Sequence, residues 1–272
     1  MEHAEHLSLA EAFDLTGQIA VITGAASGIG RATSYVLASA GATLVLGDID
    51  EPGVKTVADD LASKGTTAVP VHMDVKNRED VEGLVDKAVK EFGRIDIMGN
   101  IAGIMHRGLI ADLDDDEFEF IMDTNMRGTL YGCRAAARAM IPQGSGNIIN
   151  IASGAIDAAA ATIGTYSMSK AAVAILTKVL ASELGPHGIR VNALAPGTIL
   201  SAFSRPHFVD ENGDVVPEKL EGYKNWSASI APRGRIGYPA DIAWAIMYIV
   251  SPVGDFVTGQ IVRPNGGTAM PW

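Results

Sequence analysis

The eight residues Thr23-Gly24-Ala25-Ala26-Ser27-Gly28-Ile29-Gly30 leave an apolar, β-rich run and enter a helical pattern, and this order constrains the fold more than any other feature of the chain. The three glycines have separate tasks. Gly24 lets the chain turn tightly as it leaves the strand, Gly28 lets the backbone approach a pyrophosphate, and Gly30 lets helix and sheet pack closely. With Ser27 and Ile29 they sit at a helix start, where free N–H groups and the positive end of the helix dipole favour an anion. A glycine triplet alone would be weak and could be a purely structural turn. Strand, glycines and helix in succession instead point to dinucleotide binding.

The rest of the chain repeats the unit. Short β-rich runs at 18–23, 43–48, 67–72, 95–101, 146–152, 189–195 and 260–263 alternate with helical patterns at 29–40, 52–63, 80–91, 116–140, 166–184 and 239–250. Alternation of this kind builds βαβ units around a parallel sheet. We expect an α/β fold of Rossmann type, with a doubly wound, seven-stranded parallel sheet flanked by helices. A single domain should cover 15–272, after an N-terminal extension over 1–14. One segment breaks the rhythm: 198–235 holds Pro206, Pro217 and Pro232 among the aromatics Phe203, Phe208, Tyr223 and Trp226. A loop this long in a compact domain is usually functional, so it reads as a lid over a substrate. The alternative is an excursion whose aromatics only plug a small core of their own.

Composition removes several classes of partner. A net charge of -11, from 21 basic and 32 acidic residues, without a Lys/Arg cluster argues against nucleic acid. The densest apolar run, 242–250, is too short for a membrane helix. Residues 1–11 carry three glutamates and lack the basic start and apolar centre of a signal peptide. Cys133 is the only cysteine, which agrees with a reducing, cytoplasmic setting, and it reads as a small buried apolar residue in a helix. The acidic run Asp112, Asp114, Asp115, Asp116 and Glu117 reads as solvated helix-start residues, and no metal site is expected.

Asp48 ends the second strand, eighteen residues after Gly30, where a carboxylate can accept the hydrogen bonds of an adenine-ribose diol. A 2′-phosphate would meet that charge with no arginine beside it, since Gly47 and Ile49 are its neighbours, so NAD(H) is expected over NADP(H). A turn-forming role before Asp50 is the alternative. Further on, Tyr166 and Lys170 stand four residues apart, one helical turn, which stacks a phenol beside an ammonium group. A phenol is a poor base at neutral pH unless a nearby positive charge favours its ionised form.

Together these residues resemble the short-chain dehydrogenase/reductase family in its single-domain form, over 15–267. The likeness rests on the Thr23 to Gly30 turn, Asp74-Val75, Asn100-Ile101-Ala102-Gly103, Asn125, Ser153, Tyr166-x-x-x-Lys170, Pro196-Gly197 and Arg235-x-Gly237-x-Pro239, all in family order. The resemblance implies that Tyr166 is the acid/base while hydride passes between substrate carbon and nicotinamide. It also implies that Lys170 lowers the Tyr166 pKa and holds the nicotinamide ribose, and that Ser153 hydrogen-bonds the substrate oxygen. Asn125 then sits where a helix bend holds a water linking Lys170 to solvent. By the same resemblance Asp74 and Val75 meet the adenine ring, and Asn100, Ala102 and Gly103 lie beside the adenine ribose. Pro196, Gly197, Thr198, Ile199 and Ser201 form the turn that holds the carboxamide. Two departures stand out: Ile101 replaces the family's second asparagine, whose sheet-bracing hydrogen bonds must be replaced or absent, and Ser201 replaces a threonine.

The function expected is therefore an NAD(H)-dependent oxidoreductase that interconverts a secondary alcohol and a ketone. A 3-oxoacyl-thioester reductase acting on acyl-carrier protein is the alternative within enzymes, against which Asp48 and the lack of a basic docking patch argue. A non-catalytic dinucleotide-binding regulator is the alternative of another class. The resemblance further implies a homotetramer or homodimer pairing through the helices that hold Asn125 and Tyr166. Ala135, Ala136, Ala137, Ala171, Ala172 and Ala174 would permit close packing there, and the tail 268–272 could cross to a neighbour. The lid aromatics with Met105, His106 and Ile156 point to a mostly apolar substrate pocket, suited to a cyclic or aromatic alcohol.

Overall fold

The computed structural model describes residues 7–271; residues 1–6 and Trp272 lie outside the described residues, and with them part of the expected extension and the end of the tail. Its seven strands are β1 (Ile19–Thr23), β2 (Thr43–Asp48), β3 (Ala68–His72), β4 (Ile97–Asn100), β5 (Gly146–Ile151), β6 (Ile189–Leu194) and β7 (Ile261–Val262). They form one sheet in the order β3-β2-β1-β4-β5-β6-β7, and every pairing is parallel. The order runs outward in both directions from β1 and β4, so the chain switches direction there, and the carboxyl ends of those two strands flank a crevice. β4 is shorter than expected for a local reason: the Ile95 N–H donates to Gln143 Oε1 and the Ile101 N–H to Thr23 Oγ1, so both leave the ladder.

Helices cover both faces. On one face, α2 (Gly28–Ser39), α3 (Glu51–Ser63) and α9 (Pro239–Val250) bury Leu37, Leu61, Ile242 and Ile246 against Ile22, Leu44 and Ile97. On the other, α4 (Arg78–Phe92), α6 (Gly128–Gln143) and α7 (Gly164–Leu184) bury Leu84, Ala136, Met140 and Leu184 against Val21, Met98 and Ile148. Burial of apolar surface at about 25 cal/mol per Å² makes these two layers the main stabilising contribution. α4 begins two residues before the expected 80, capped by the Asn77 side chain, which accepts the Glu79 N–H, and it stops at Gly93 with φ 81°. In the extension, Ser8 and Glu11 cap a four-residue helix, α1 (Leu9–Ala12), reciprocally.

Two expectations are corrected. The single helix expected at 116–140 is α5 (Asp115–Met122) and α6 joined by a π-helical turn, Asp123–Arg127. The segment 198–235 is not a plain loop, because it contains a fourteen-residue helix, α8 (Pro217–Ile230), started by Pro217 in its first turn. Among the described residues no helix is long and apolar enough to cross a membrane.

Candidate active site

The carboxyl ends of β1, β4, β5 and β6 open into a cavity of about 990 Å³. Its floor depends on close backbone contact. Thr23 Oγ1 accepts the N–H groups of Ile101 and Ala102 at 3.1 and 3.2 Å, which ties β1 to β4. This draws Ala102 so near that a Cβ at Gly24, whose φ is +68°, would lie 2.8 Å from the Ala102 Cα. A Cβ at Gly30 would collide with the Gly24 carbonyl oxygen. Only glycine closes this turn.

At one end of the cavity Asp48 accepts the Ala26 N–H at 2.8 Å and the Asp50 N–H at 3.0 Å, one on each carboxylate oxygen. Ile49, Asp74 and Val75 stand on the same wall, and Lys76 pairs with Asp74 at 3.5 Å. Ser27, Gly28, Ile29, Ala102, Gly103, Pro196, Gly197, Ile199 and Ser201 also line the cavity. Asn100 does not. Its side chain turns into the sheet, where Nδ2 donates to Asn150 Oδ1 at 2.9 Å and Asn150 Nδ2 donates to Thr177 Oγ1 at 3.0 Å. Cys133 Sγ lies 3.4 Å from both asparagines, and burial pushes its thiol up to about 12. This buried network braces β4, β5 and α7, while Ile101 joins the apolar core.

Tyr166 stands in the first turn of α7 and Lys170 one turn later, with 6% and 3% of their surfaces exposed. The Lys170 Nζ donates to the Ile151 carbonyl at 2.9 Å and lies 5.9 Å from the centroid of the Tyr166 ring. Burial pushes the Tyr166 phenol above its ordinary value, opposed by the Ser153 hydroxyl beside it. Burial also lowers the Lys170 ammonium to about 8. In the polypeptide alone the phenol is therefore raised by desolvation, and the expected depression by Lys170 is not among the causes of its shift. Ser153 follows β5, and its hydroxyl accepts the Ala155 N–H at 3.2 Å.

Asn125 lies behind this group, fully buried and off the cavity wall. Its Oδ1 accepts the Ile104 N–H at 2.8 Å, and its Nδ2 donates to the Ile104 carbonyl at 2.9 Å and to Ser169 Oγ at 3.1 Å. The π-helical turn supplies the wider backbone that aims this side chain at the β4–α5 connection. A Cβ at Gly103 would meet Asn125 Oδ1 at 3.0 Å and Lys170 Nζ at 3.2 Å, so both groups converge on one glycine. The cradle fits an extended dinucleotide: it is free of side chains at Gly24 and Gly28, has a helix start at its centre, and has a carboxylate at one end and a phenol–ammonium pair at the other.

A family profile described as Enoyl-(Acyl carrier protein) reductase matches residues 24–269. The short-chain reductase protein NovJ of Streptomyces niveus is 35% identical over 249 residues, 92% of this chain and 93% of that one. A short-chain type dehydrogenase/reductase from Mycobacterium marinum superposes with TM-score 0.87 at 36% identity, over 97% of this chain and 100% of that one. The chain belongs to the short-chain dehydrogenase/reductases. A 7α-hydroxysteroid dehydrogenase complexed with NADH and 7-oxo glycochenodeoxycholic acid also superposes, with TM-score 0.88 at 29% identity, over 97% of this chain and 99% of that one.

Within this short-chain dehydrogenase/reductase the substrate end differs from expectation. Of the lid aromatics only Phe203 lines the cavity, its ring 5.9 Å from that of Tyr166. Tyr223 packs on Phe208 at 6.0 Å and Trp226 at 5.6 Å, away from the cavity wall. Met105 is on the wall, whereas His106 pairs with Glu117 at 3.3 Å and Ile156 packs against small alanines. Arg107 and His207 also line the cavity and were not anticipated. No local spacing marks them, since they meet across 100 residues of chain.

Proposed function

We propose that this short-chain dehydrogenase/reductase is an NAD(H)-dependent enzyme interconverting a secondary alcohol and a ketone. The observation that carries the reading is the placement of Ser153, Tyr166 and Lys170 on the wall of the cavity whose far end presents Asp48. When bound, NAD(H) supplies the hydride acceptor or donor at its nicotinamide ring. The protein's own part is to place substrate and move a proton. In oxidation the alcohol gives its O–H proton to the Tyr166 Oη as the carbinol carbon loses hydride, and a ketone leaves; reduction reverses both transfers. Ser153 donates a hydrogen bond to the same oxygen and stabilises its developing charge.

Lys170 holds the nicotinamide ribose hydroxyls and supplies positive charge near the phenol. Asn125 positions the Ile104 backbone and Gly103 beside that ammonium and lies on the route by which the proton reaches solvent. Asp74, Val75, Ala102 and Gly103 hold the adenosine half, and Pro196, Gly197, Ile199 and Ser201 the nicotinamide half. The segment 198–235 covers the substrate through Phe203. The enzyme acts as a soluble cytoplasmic homotetramer or homodimer. Support comes from Met168, Ile175 and Val179, exposed apolar residues along one face of α7, with Ala171 among them. Ala135, Ala136, Ala137 and Ala174 are already buried within the chain itself. Light scattering that finds only monomer would refute the assembly.

The decisive experiment assays a panel of secondary alcohols and ketones with NAD(H) and NADP(H), for the wild type and for Tyr166→Phe. Loss of the phenolic proton is expected to lower kcat by about 10²–10⁴-fold. Full activity in Tyr166→Phe would remove Tyr166 from the chemistry.

A further inference from the structure

Charge is distributed unevenly along the cavity. Its two carboxylates, Asp48 and Asp74, stand together with Lys76, which Asp74 neutralises. Lys170 is buried and donates to the Ile151 carbonyl. That leaves Arg107 on the β4–α5 connection. Among the described residues Arg107 forms no ion pair with a carboxylate, in a chain whose acidic residues outnumber basic ones by 32 to 21. Two arginines of the 198–235 segment are engaged: Arg205 donates to the Gly213 carbonyl at 2.7 Å, and Arg235 forks onto Asp241 at 2.7 and 2.6 Å.

Among the described residues the one polar contact of the Arg107 side chain is Nη2 to His207 Nε2, at 3.4 Å. For the guanidinium to donate there, the imidazole must be neutral with its lone pair on Nε2. Burial and the Arg107 charge both hold His207 below its ordinary pKa. The pair thus carries a single positive charge, and the contact is longer than the roughly 2.7–2.9 Å of a guanidinium–carboxylate bond. Its two members are held from opposite sides. Arg107 follows Ile104, whose backbone Asn125 grips through both N–H and carbonyl. His207 is stacked flat on Tyr223, with centroids 4.9 Å apart and planes 7° from parallel, and lies one turn after Phe203, whose ring faces Tyr166.

We infer that Arg107, with His207 beside it, binds a carboxylate on the alcohol or ketone that this enzyme converts. The substrate class is then a hydroxy or keto acid with an apolar body between its two polar ends. The reacting oxygen meets Tyr166 and Ser153, the body lies along Phe203 and Met105, and the carboxylate takes the planar fork of Arg107, whose geometry suits two parallel hydrogen bonds. This inference rests on the proposed alcohol–ketone reading, which it deepens.

The test uses matched acids and methyl esters: 3-hydroxycyclohexanecarboxylate and 3-(1-hydroxyethyl)benzoate, each against its ester, with NAD⁺ and NADP⁺. In parallel, calorimetry measures binding of benzoate and methyl benzoate in the presence of NADH, a readout that needs no turnover. Arg107 is exposed, so Arg107→Gln leaves the core intact. The wild type is expected to prefer acid over ester by about 10- to 30-fold in kcat/KM, an exposed charge-assisted fork being weaker than a buried one. In Arg107→Gln the ratio should approach one and benzoate binding should be lost. An ester preference in the wild type, an acid preference that survives Arg107→Gln, or benzoate binding no tighter than methyl benzoate would each overturn the inference. The alcohol–ketone reading fails separately, if neither acid nor ester is turned over with either cofactor while benzoate still binds through Arg107.

Discussion

Replacing Asp48 by Asn tests the cofactor preference at the atom that is held to decide it. The Asp48 carboxylate is partly buried, and its two oxygens are fixed by the Ala26 and Asp50 N–H groups at 2.8 and 3.0 Å. A 2′-phosphate carries about -1.5 to -2 charges. Two unit charges ~4 Å apart repel by about 1 kcal/mol in water and about 4 kcal/mol at an effective dielectric of 20. Asp48 lies between those limits, so the phosphate's charge sets the discrimination against NADP⁺ at roughly 3 kcal/mol, about 10²-fold. Asparagine removes that repulsion and also weakens the acceptor offered to the ribose diol of NAD⁺, a further ~1 kcal/mol. The ratio of kcat/KM for NAD⁺ over NADP⁺ should therefore fall by about 10²–10³-fold in Asp48→Asn. Initial rates at saturating alcohol, followed by reduced-cofactor absorbance, measure it, and thermal unfolding confirms that the variant is folded. A wild type that prefers NADP⁺, or a ratio that moves less than about threefold, would refute the electrostatic reasoning.

Two further outcomes follow from burial and close packing. Lys170 is held at about 8 against an ordinary 10.5; because the folded value is lowered, only the unfolded chain keeps that proton between those pH values, so stability rises with pH there and is flat below. The span amounts to about 3 kcal/mol. Cys133, pushed up to about 12 from 9.0, and Tyr166, raised from 10.0, act in the opposite direction at higher pH, but both are common to the wild type and Lys170→Met. Denaturation at pH 7 and pH 10 should show the gap between these two proteins changing by about 2–3 kcal/mol, and a gap independent of pH would refute a buried ammonium. At the turn, Gly30→Ala forces a methyl group onto the Gly24 carbonyl oxygen, a rigid backbone neighbour. A loss of about 2–4 kcal/mol is expected in chemical denaturation, and unchanged stability would mean that the turn can open.

What could be read from the chain, and what could not, separates along physical lines. The β1–α2 turn was legible because part of its requirement is local: Gly24 takes φ +68° and a Cβ at Gly30 would meet the Gly24 carbonyl oxygen, whereas the approach of Ala102 to Gly24 is a long-range contact. Tyr166 and Lys170 were legible because one helical turn puts them on one face. The π-helical turn at Asp123–Arg127 left no mark, since one extra residue in a turn needs no change in helical composition. Helix α8 is hard to read because Pro206, Pro217 and Pro232 mark its segment as irregular, although Leu220, Tyr223, Trp226 and Ile230 recur at helical spacing and only Ser227 of its fourteen residues is buried. The Asn100 side chain instead meets Asn150 and Cys133, far along the chain and invisible to any spacing rule. Arg107 and His207 belong with it, for their meeting depends on how a connection and a covering segment fold toward each other. On the proposed reading, reaction chemistry falls to strand ends and helix starts, which period and spacing disclose. On the same reading, substrate choice falls to the contact between two irregular segments, which family membership leaves open and which the inferred role of Arg107 would narrow.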